Sequence, residues 1–313
     1  MLSDTETREE FICYWCHNRT CRIVARGKTK KQQAGPGEAA NAAYACTSRL
    51  HGRFFQVVEC TNCHLRTLFP LPPAATIIDA YASVTDENYF VIEPARTTAF
   101  TKLLQRLEKD VPPPAKLLDI GCYTGLFPYL AQQRGYEAYG IEPSAWASAI
   151  AQRRLPPGRI HHGCHDTANV ATASFDLISA WDVIEHVTDP KKEIELMADL
   201  LKPGGWLVMS TMASDALLVK ILGARWPWYM PMHVFYFTPT TLRPMLQGAG
   251  LHPRQPELYP HYTTIQYLCW KLEPMFGSLA RMAAQGARKL HLEQRVIKVD
   301  LRDFFLIAAQ KNT

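Results

Sequence analysis

The chain has 313 residues, 47% of them apolar and 20% charged, with 34 Lys and Arg against 29 Asp and Glu for a formal net charge of +5. That apolar content excludes a mainly disordered chain, and the length allows one large domain beside a small one. Residues 1–73 hold 10 basic and 6 acidic groups and the remaining 240 hold 24 and 23, so a uniformly basic nucleic-acid binder is excluded and only the N-terminal part has a claim to such a partner.

No run approaches 18 uninterrupted apolar residues, which argues against a membrane span. The first thirty residues show no apolar signal region, which leads us to expect a cytoplasmic protein. Two C-x2-C pairs stand out, Cys13/Cys16 and Cys60/Cys63. In a reducing compartment such pairs read as metal ligands before disulfides. Each pair turns its sulfurs toward one ion, and four thiolates complete the closed tetrahedron of a structural Zn(II) site. His17 and His64, just after each pair, are alternative donors or neighbours of the site. Cys21, Cys46, Cys122, Cys164 and Cys269 read as small buried hydrophobes.

Between the pairs, residues 27–43 are rich in Gly, Ala, Lys and Gln and have no period, so they read as a long loop. RFFQVVEC alternates as a strand, and FPLPP closes the segment because successive prolines continue neither ladder nor helix. Residues 74–110 carry helical spacing and VPPPA breaks the chain. Strands and helices then alternate: KLLDIG, LFPYLAQQRG, EAYGIE, AWASAIAQRR, RIHHG, FDLISAWDV. DPKKEIELMADLLKPGG predicts a helix with Asp189 as N-cap, Pro190 at its first position and a Pro-Gly-Gly stop, followed by the strand WLVMST. TPTTLRPMLQGAG predicts a helix, 251–259 a weak strand, 262–300 mainly helices broken at Pro274 and Gly277, and DFFLIAAQK a last strand. This order predicts an α/β fold, a doubly wound, mostly parallel seven-stranded sheet covered on both faces. The domain division expected is a head at 1–73, a helical linker at 74–112 and the sheet domain at 113–313 with an insertion at about 262–300.

Asp119, Gly121 and Gly125 give D-x-G-x-x-x-G at the end of the first sheet strand. The first glycine permits a sharp turn with close backbone approach to a ligand, and Gly125 lets the next helix start tight against the strand. Glu142 lies 21 residues beyond Gly121, where an acid can accept both hydroxyls of a ribose. Neither the full dinucleotide fingerprint nor a P-loop is present. The expected ligand is therefore an adenosine with a short zwitterionic tail, whose ammonium suits Asp119.

LLDIGCYTG, YGIEPS, FDLISAWDVIEHV and LKPGGWLVMST together resemble, in order, the motifs of class I S-adenosylmethionine-dependent methyltransferases over about residues 115–212. The Cys pairs, the strand between them and FPLPP resemble the zinc-ribbon head of a bacterial subgroup that includes enzymes acting on sugars. WPWYMPMHVFYFTPTTLRPML resembles that subgroup's segment after the sheet. The resemblance implies that the Asp119–Gly125 turn, with Cys122 and Tyr123, holds the methionine moiety. It implies that Glu142 and Pro143 hold the ribose, that Cys164 in HHGCHD lies by the adenine, and that Trp181 and Asp182 line the methionine and acceptor side. Tyr123 stands where many relatives have Gly, and Asp166 is two positions late for the acid beside the adenine.

The chemistry implied is in-line displacement at a sulfonium methyl, which rests on alignment and, for an alcohol, a general base. His233, among Trp226, Trp228, Tyr229, Phe235 and Tyr236, is one candidate base or acceptor contact, with aromatics available for a sugar ring or lipid. His186 is the other; Asp182, Glu185 and His186 resemble the divalent-metal set of ubiquinone-pathway O-methyltransferases. Residues 262–300, with six Lys/Arg against three acids, read as a lid, an amphipathic surface for peripheral membrane contact, or a packing subdomain. The leading expectation is methyl transfer to a hydroxyl of a small-molecule or carbohydrate acceptor. The alternatives are an RNA methyltransferase gripping its substrate through the zinc ribbon, and an inactive zinc-ribbon interaction protein.

Overall fold

The computed structural model describes residues 10–28, 44–48, 54–164, 168 and 170–313. The loop expected at 27–43 falls mostly outside the described residues, as does Asp166. In the N-terminal head, β1 (Cys21–Arg26), β2 (Gln56–Cys60) and β3 (Arg66–Leu68) pair antiparallel, and Cys21 lies opposite Cys60. The strand read from RFFQVVEC is β2. The head's sheet acquires a fourth strand from far along the chain, β9 (Phe235–Tyr236), which pairs with β3.

The region 74–110 forms two helices, α1 (Ala74–Ala82) and α2 (Tyr89–Leu107), separated by a turn in which the Tyr89 amide donates to the Asp86 carbonyl. The sheet then unfolds in the expected order: β4 (Lys116–Ile120), α3 (Leu126–Gln133), β5 (Glu137–Glu142), α4 (Ala145–Arg154), β6 (Ile160–His162), β7 (Phe175–Trp181), α5 (Pro190–Leu200) and β8 (Leu201–Met212). After it come α6 (Leu217–Leu222), β9, α7 (Pro239–Gly248), β10 (Leu251–Pro253), β11 (Glu257–Leu258), β12 (His261–Thr264), α8 (Ile265–Phe276), α9 (Ser278–Lys289), β13 (Val296–Val299) and β14 (Phe304–Lys311). The strand order is β10-β14-β8-β7-β4-β5-β6, with β11 also pairing with β14. β6, β5, β4, β7 and β8 are mutually parallel, and β14 runs antiparallel to β8. Their apolar sequences suit strands covered on both faces, and Leu117, Leu118, Leu177, Ile178, Leu207 and Val208 are buried.

Two local expectations change. α5 is capped as its sequence dictates, Asp189 accepting from the Lys192 amide at 3.0 Å, but it ends at Leu200 rather than running through LKPGG. Leu201 already pairs with Phe175 and Trp206 with Leu177, so 202–205 bulge out of β8, with Gly204 at φ 77° supplying the bend. In the insertion, Pro274 sits inside α8, and the break is at Gly277, φ 47°. β12 and β13 form a two-stranded antiparallel clasp at the base of the α8–α9 hairpin.

The aromatic stretch after β8 is core rather than ligand surface. Trp226, Tyr229, Phe235 and Tyr236 are buried, and Phe54 of the head meets Tyr229 at 5.4 Å between ring centroids. Both Trp226 and Trp228 donate their indole N–H to Asp303, at 3.0 and 3.2 Å. Head residues Val57, Leu65 and Leu68 thus share one core with the sheet domain.

Candidate functional site

The strand order reverses beside β4, and in open α/β sheets the crevice beyond the carboxyl ends at such a reversal is where ligands sit. A cavity of about 310 Å³ opens there. Asp119, Gly121, Cys122, Tyr123, Glu142, Pro143, Cys164, Trp181, Asp182 and His186, all expected at the site, line it.

The floor is the turn after β4. Gly121 has φ 67°, and a Cβ there would meet Val183 Cγ2 at 2.8 Å. Gly125 (φ 73°) caps α3 and does not line the cavity; a Cβ there would meet that of Ala151 in α4 at 2.8 Å, so its bareness serves helix packing. Cys122 is buried against Gly140, where an added Cβ would lie 2.6 Å from its sulfur. Glu142 at the end of β5 is buried, and its two carboxylate oxygens accept the Tyr123 amide at 2.8 Å and the Ser144 amide at 2.7 Å. Burial pushes its pKa up to about 7, against the pull of those two amides. Each oxygen has one backbone donor and keeps acceptor capacity for a hydroxyl. Asp119 is buried with Ser179 Oγ donating to it at 2.6 Å; burial raises its pKa well above the ordinary carboxylate range. A cation placed beside it would favour its ionised form.

Tyr123, the bulky residue in the turn, has φ 50°. Its ring turns onto Tyr89 and Trp146, at centroid distances of 4.7 and 6.0 Å, and its phenol donates to Asp86 at 3.2 Å. Trp181 packs on Phe127 (4.9 Å) and stacks with Tyr259 (6.4 Å).

The far wall comes from segments without a recognisable motif. Arg96 of α2 faces Asp182, N to O 3.7 Å. Burial works against the charge on Arg96, but Asp182 and neighbouring groups outweigh it and raise its pKa further. Ser210 Oγ donates to Asp182 at 2.7 Å. Tyr44 and Cys46 from the head, and Tyr81 of α1, complete this wall. None was expected from sequence; a lone Arg or Tyr in an amphipathic helix carries no spacing signal, and the segment 44–48 shows no period.

The two candidate histidines occupy different layers. His186 lines the cavity. Its Nδ1 lies 2.9 Å from the Met232 carbonyl and 2.5 Å from the Tyr81 hydroxyl. A carbonyl only accepts, so Nδ1 carries the proton and the other ring nitrogen the lone pair. Burial pushes the His186 pKa down to about 4, against the opposing pull of Met232 and Asp182. His233 is absent from the cavity lining: it is buried behind His186, ring centroids 4.8 Å apart, with Nδ1 donating to the Trp228 carbonyl at 2.7 Å.

The Asp182/Glu185/His186 grouping does not assemble, because Asp182 turns to Ser210 and Arg96. The ligand atoms that converge, all within 4.8 Å, belong to Glu185, His186 and His233. Glu185 is buried, accepts from Thr211 Oγ1 at 2.9 Å, and its carbonyl accepts the amides of Val234 (2.7 Å) and Phe235 (3.1 Å), which ties the His233 loop to the β7–α5 turn.

In the head, the sulfurs of Cys13, Cys16, Cys60 and Cys63 lie within 4.8 Å of one another, with Cys13–Cys63 and Cys16–Cys60 both at 3.5 Å. Tetrahedral thiolates about 2.3 Å from one ion stand somewhat under 4 Å apart, so the set fits a closed Zn(II) centre. His17 (φ 57°) and His64 (φ 62°) form the knuckle backbone, donating their amides to the Cys13 and Cys60 carbonyls, rather than joining the cluster. A second cavity, about 410 Å³, lies between α2 and the α8–α9 hairpin, lined by Trp270, Arg281 and Arg288 among others. No helix among the described residues is long and apolar enough to cross a membrane.

Several known proteins are similar to this chain. Curated relatives include ubiquinone biosynthesis O-methyltransferases of Ruegeria pomeroyi (32% identical over 159 residues, 44% of this chain and 60% of that protein), Chromobacterium violaceum (30% over 148 residues, 44% and 64%) and Leptothrix cholodnii (30% over 119 residues, 36% and 51%). The chain thus spans between half and two thirds of the length of these relatives. Solved structures similar to it include YcgJ of Bacillus subtilis (TM-score 0.49, 18% identity, 68% of this chain and 99% of that one) and a methyltransferase of Archaeoglobus fulgidus (TM-score 0.48, 18% identity, 72% and 100%). The family described as a methyltransferase domain matches residues 92–255, more than half of the chain, and to that family the chain belongs.

Proposed function

We propose that the protein is an S-adenosylmethionine-dependent methyltransferase that methylates a hydroxyl oxygen of a small-molecule acceptor. The observation that carries this is Glu142: a buried carboxylate in the cavity wall, fixed by two backbone amides, at the strand end where a ribose diol is gripped. Asp119 suits the donor's ammonium, and Arg96, charged and half-buried in the same wall, suits its carboxylate. The bend at Gly121 admits the tail between them.

The sulfonium supplies an activated methyl, so the protein's task is alignment and exclusion of water. Tyr44, Tyr81, Tyr89, Phe100 and Trp181 surround the acceptor side with rings. Such a wall, together with the relatives' names, favours a small aromatic hydroxyl compound over a glycan. His186 is the group we assign to the acceptor. Neutral above about pH 5, it offers a fixed lone pair toward which a hydroxyl orients while losing its proton. His233 braces it from behind. The head's four thiolates bind Zn(II) structurally, and no protein position is left open there for catalysis.

Calorimetry with S-adenosylmethionine on cofactor-free protein, followed by transfer of labelled methyl to panels of catechols and of monosaccharides, tests the reading. Binding that is weakened at least about tenfold in Glu142→Gln is expected from loss of charge-assisted hydrogen bonds. Absence of binding in the folded wild type would reject it.

A further inference from the structure

The buried carboxylate of Asp86 is not used by the chemistry above, yet three donors from two other segments meet on it. Asp86 lies in the turn between α1 and α2 and is 3% exposed. Its Oδ2 accepts the Thr47 amide at 3.0 Å and the Tyr123 phenol at 3.2 Å, and its Oδ1 accepts the Thr47 hydroxyl at 2.5 Å. Thr47 belongs to a short strap of the head, residues 44–48, that contributes to the cavity wall. Tyr44 in this strap packs edge-on against Tyr81 at 5.2 Å, and Tyr44 and Cys46 line the cavity. At its far end the Ser48 carbonyl accepts from the Lys271 ammonium of α8. Tyr123 belongs to the turn whose amide holds Glu142.

From this convergence we infer that Asp86 is a latch, a positioning residue that fastens the head's strap into the cavity wall and couples it to the donor-binding turn. A carboxylate is the one side chain of this size that can accept from all three donors at once, and in a buried setting each charge-assisted bond is worth more than a neutral one. Because Tyr44 and Cys46 line the cavity, a fastened strap holds that part of its wall in place, which slows release of donor and product and fixes the surface against which an acceptor is sorted. The head is then part of the active centre rather than a remote appendage. This inference rests on the donor-site reading for its kinetic consequence, but the latch itself stands on hydrogen bonds that exist without donor.

Two measurements on the whole 313-residue chain, loaded with Zn(II), keep the two apart. The first is hydrogen exchange of peptides covering residues 44–48, without ligand, in wild type, Asp86→Asn and Thr47→Val. The asparagine variant keeps the shape but removes the charge, so the bonds from Thr47 and Tyr123 become neutral ones and the Thr47 hydroxyl meets an amide N–H instead of an anionic oxygen. Exchange in the strap is expected to rise at least about tenfold in Asp86→Asn and less in Thr47→Val, with exchange of β4 and β5 unchanged. Unchanged strap exchange in both variants overturns the latch. The second is stopped-flow dissociation of S-adenosylhomocysteine. Release at least about tenfold faster in Asp86→Asn, with a smaller effect in Tyr123→Phe and melting temperature preserved, is the expected result. Faster strap exchange with unaltered release overturns the coupling to the donor site. Should Asp86→Asn fail to fold, Thr47→Val and Tyr123→Phe decide: both unchanged in exchange and in release contradict the inference. A wild type that binds no S-adenosylhomocysteine rejects the donor reading, while the exchange result still judges the latch.

Discussion

Glu142 is held at a pKa of about 7 by its burial, opposed by two amide hydrogen bonds. A ribose diol donates to the ionised form, so protonation competes with the donor. Donor affinity is therefore expected to fall about tenfold between pH 8 and pH 6 in the wild type. In Glu142→Gln this dependence disappears, and calorimetry at both pH values checks the pair. His186 makes a second residue-level prediction. His186→Ala is expected to slow turnover about a hundredfold with donor affinity unchanged, the size of effect associated with a group acting on a proton in flight. Equal turnover in that variant and wild type would remove His186 from the reaction. The sequence made Glu142 and the glycines legible because backbone approach and strand-end acids leave spacing signatures. His186 and His233 were equally visible as letters, but only packing separates the one in the wall from the one behind it.

At the scale of elements, the strands were readable because fully buried parallel strands are short unbroken apolar runs, and α5 because Asp189-Pro190 is a capping signal with a mechanism. Boundaries failed where a stop signal had another use. The Pro-Gly-Gly of LKPGG makes a bulge within β8 instead of ending a helix, and Pro274 is tolerated inside α8. The aromatic run 226–236 reads either as a surface for a sugar or lipid or as packing around a hydrogen-bonded loop histidine, because composition cannot distinguish a pocket from a core; burial of Trp226, Tyr229 and Phe235 and the bond from His233 to Trp228 give the second. Gly125 offers an element-level test. Gly125→Ala forces a non-glycine residue to φ 73° and drives its Cβ toward that of Ala151, at a cost of about 1–3 kcal/mol in denaturant unfolding. The strain falls on the α3–α4 contact, so donor affinity is affected less than stability.

For the molecule as a whole, the head and the sheet domain behave as one body, because β9 completes the head's sheet and the two share a core. Thermal unfolding is expected to be a single transition, and Cys60→Ser, which opens the thiolate cluster, is expected to lower it by at least about 5 °C. A separate low-temperature transition, with the remainder unshifted, would mean that the head unfolds on its own. This union of head and sheet was not legible from the chain, since β3 and β9 are more than 160 residues apart and β9 is two residues long. It brings the segment carrying the four-thiolate cluster to the same body as the cavity, the placement that the proposed strap at 44–48 requires.

The most direct measurement is a crystal structure of the protein with S-adenosylhomocysteine. Both ribose hydroxyls within hydrogen-bond reach of Glu142, and the amino-acid tail lying over Gly121 between Asp119 and Arg96, is the predicted arrangement. A nucleoside bound elsewhere, or one whose ribose leaves Glu142 untouched, would contradict the account.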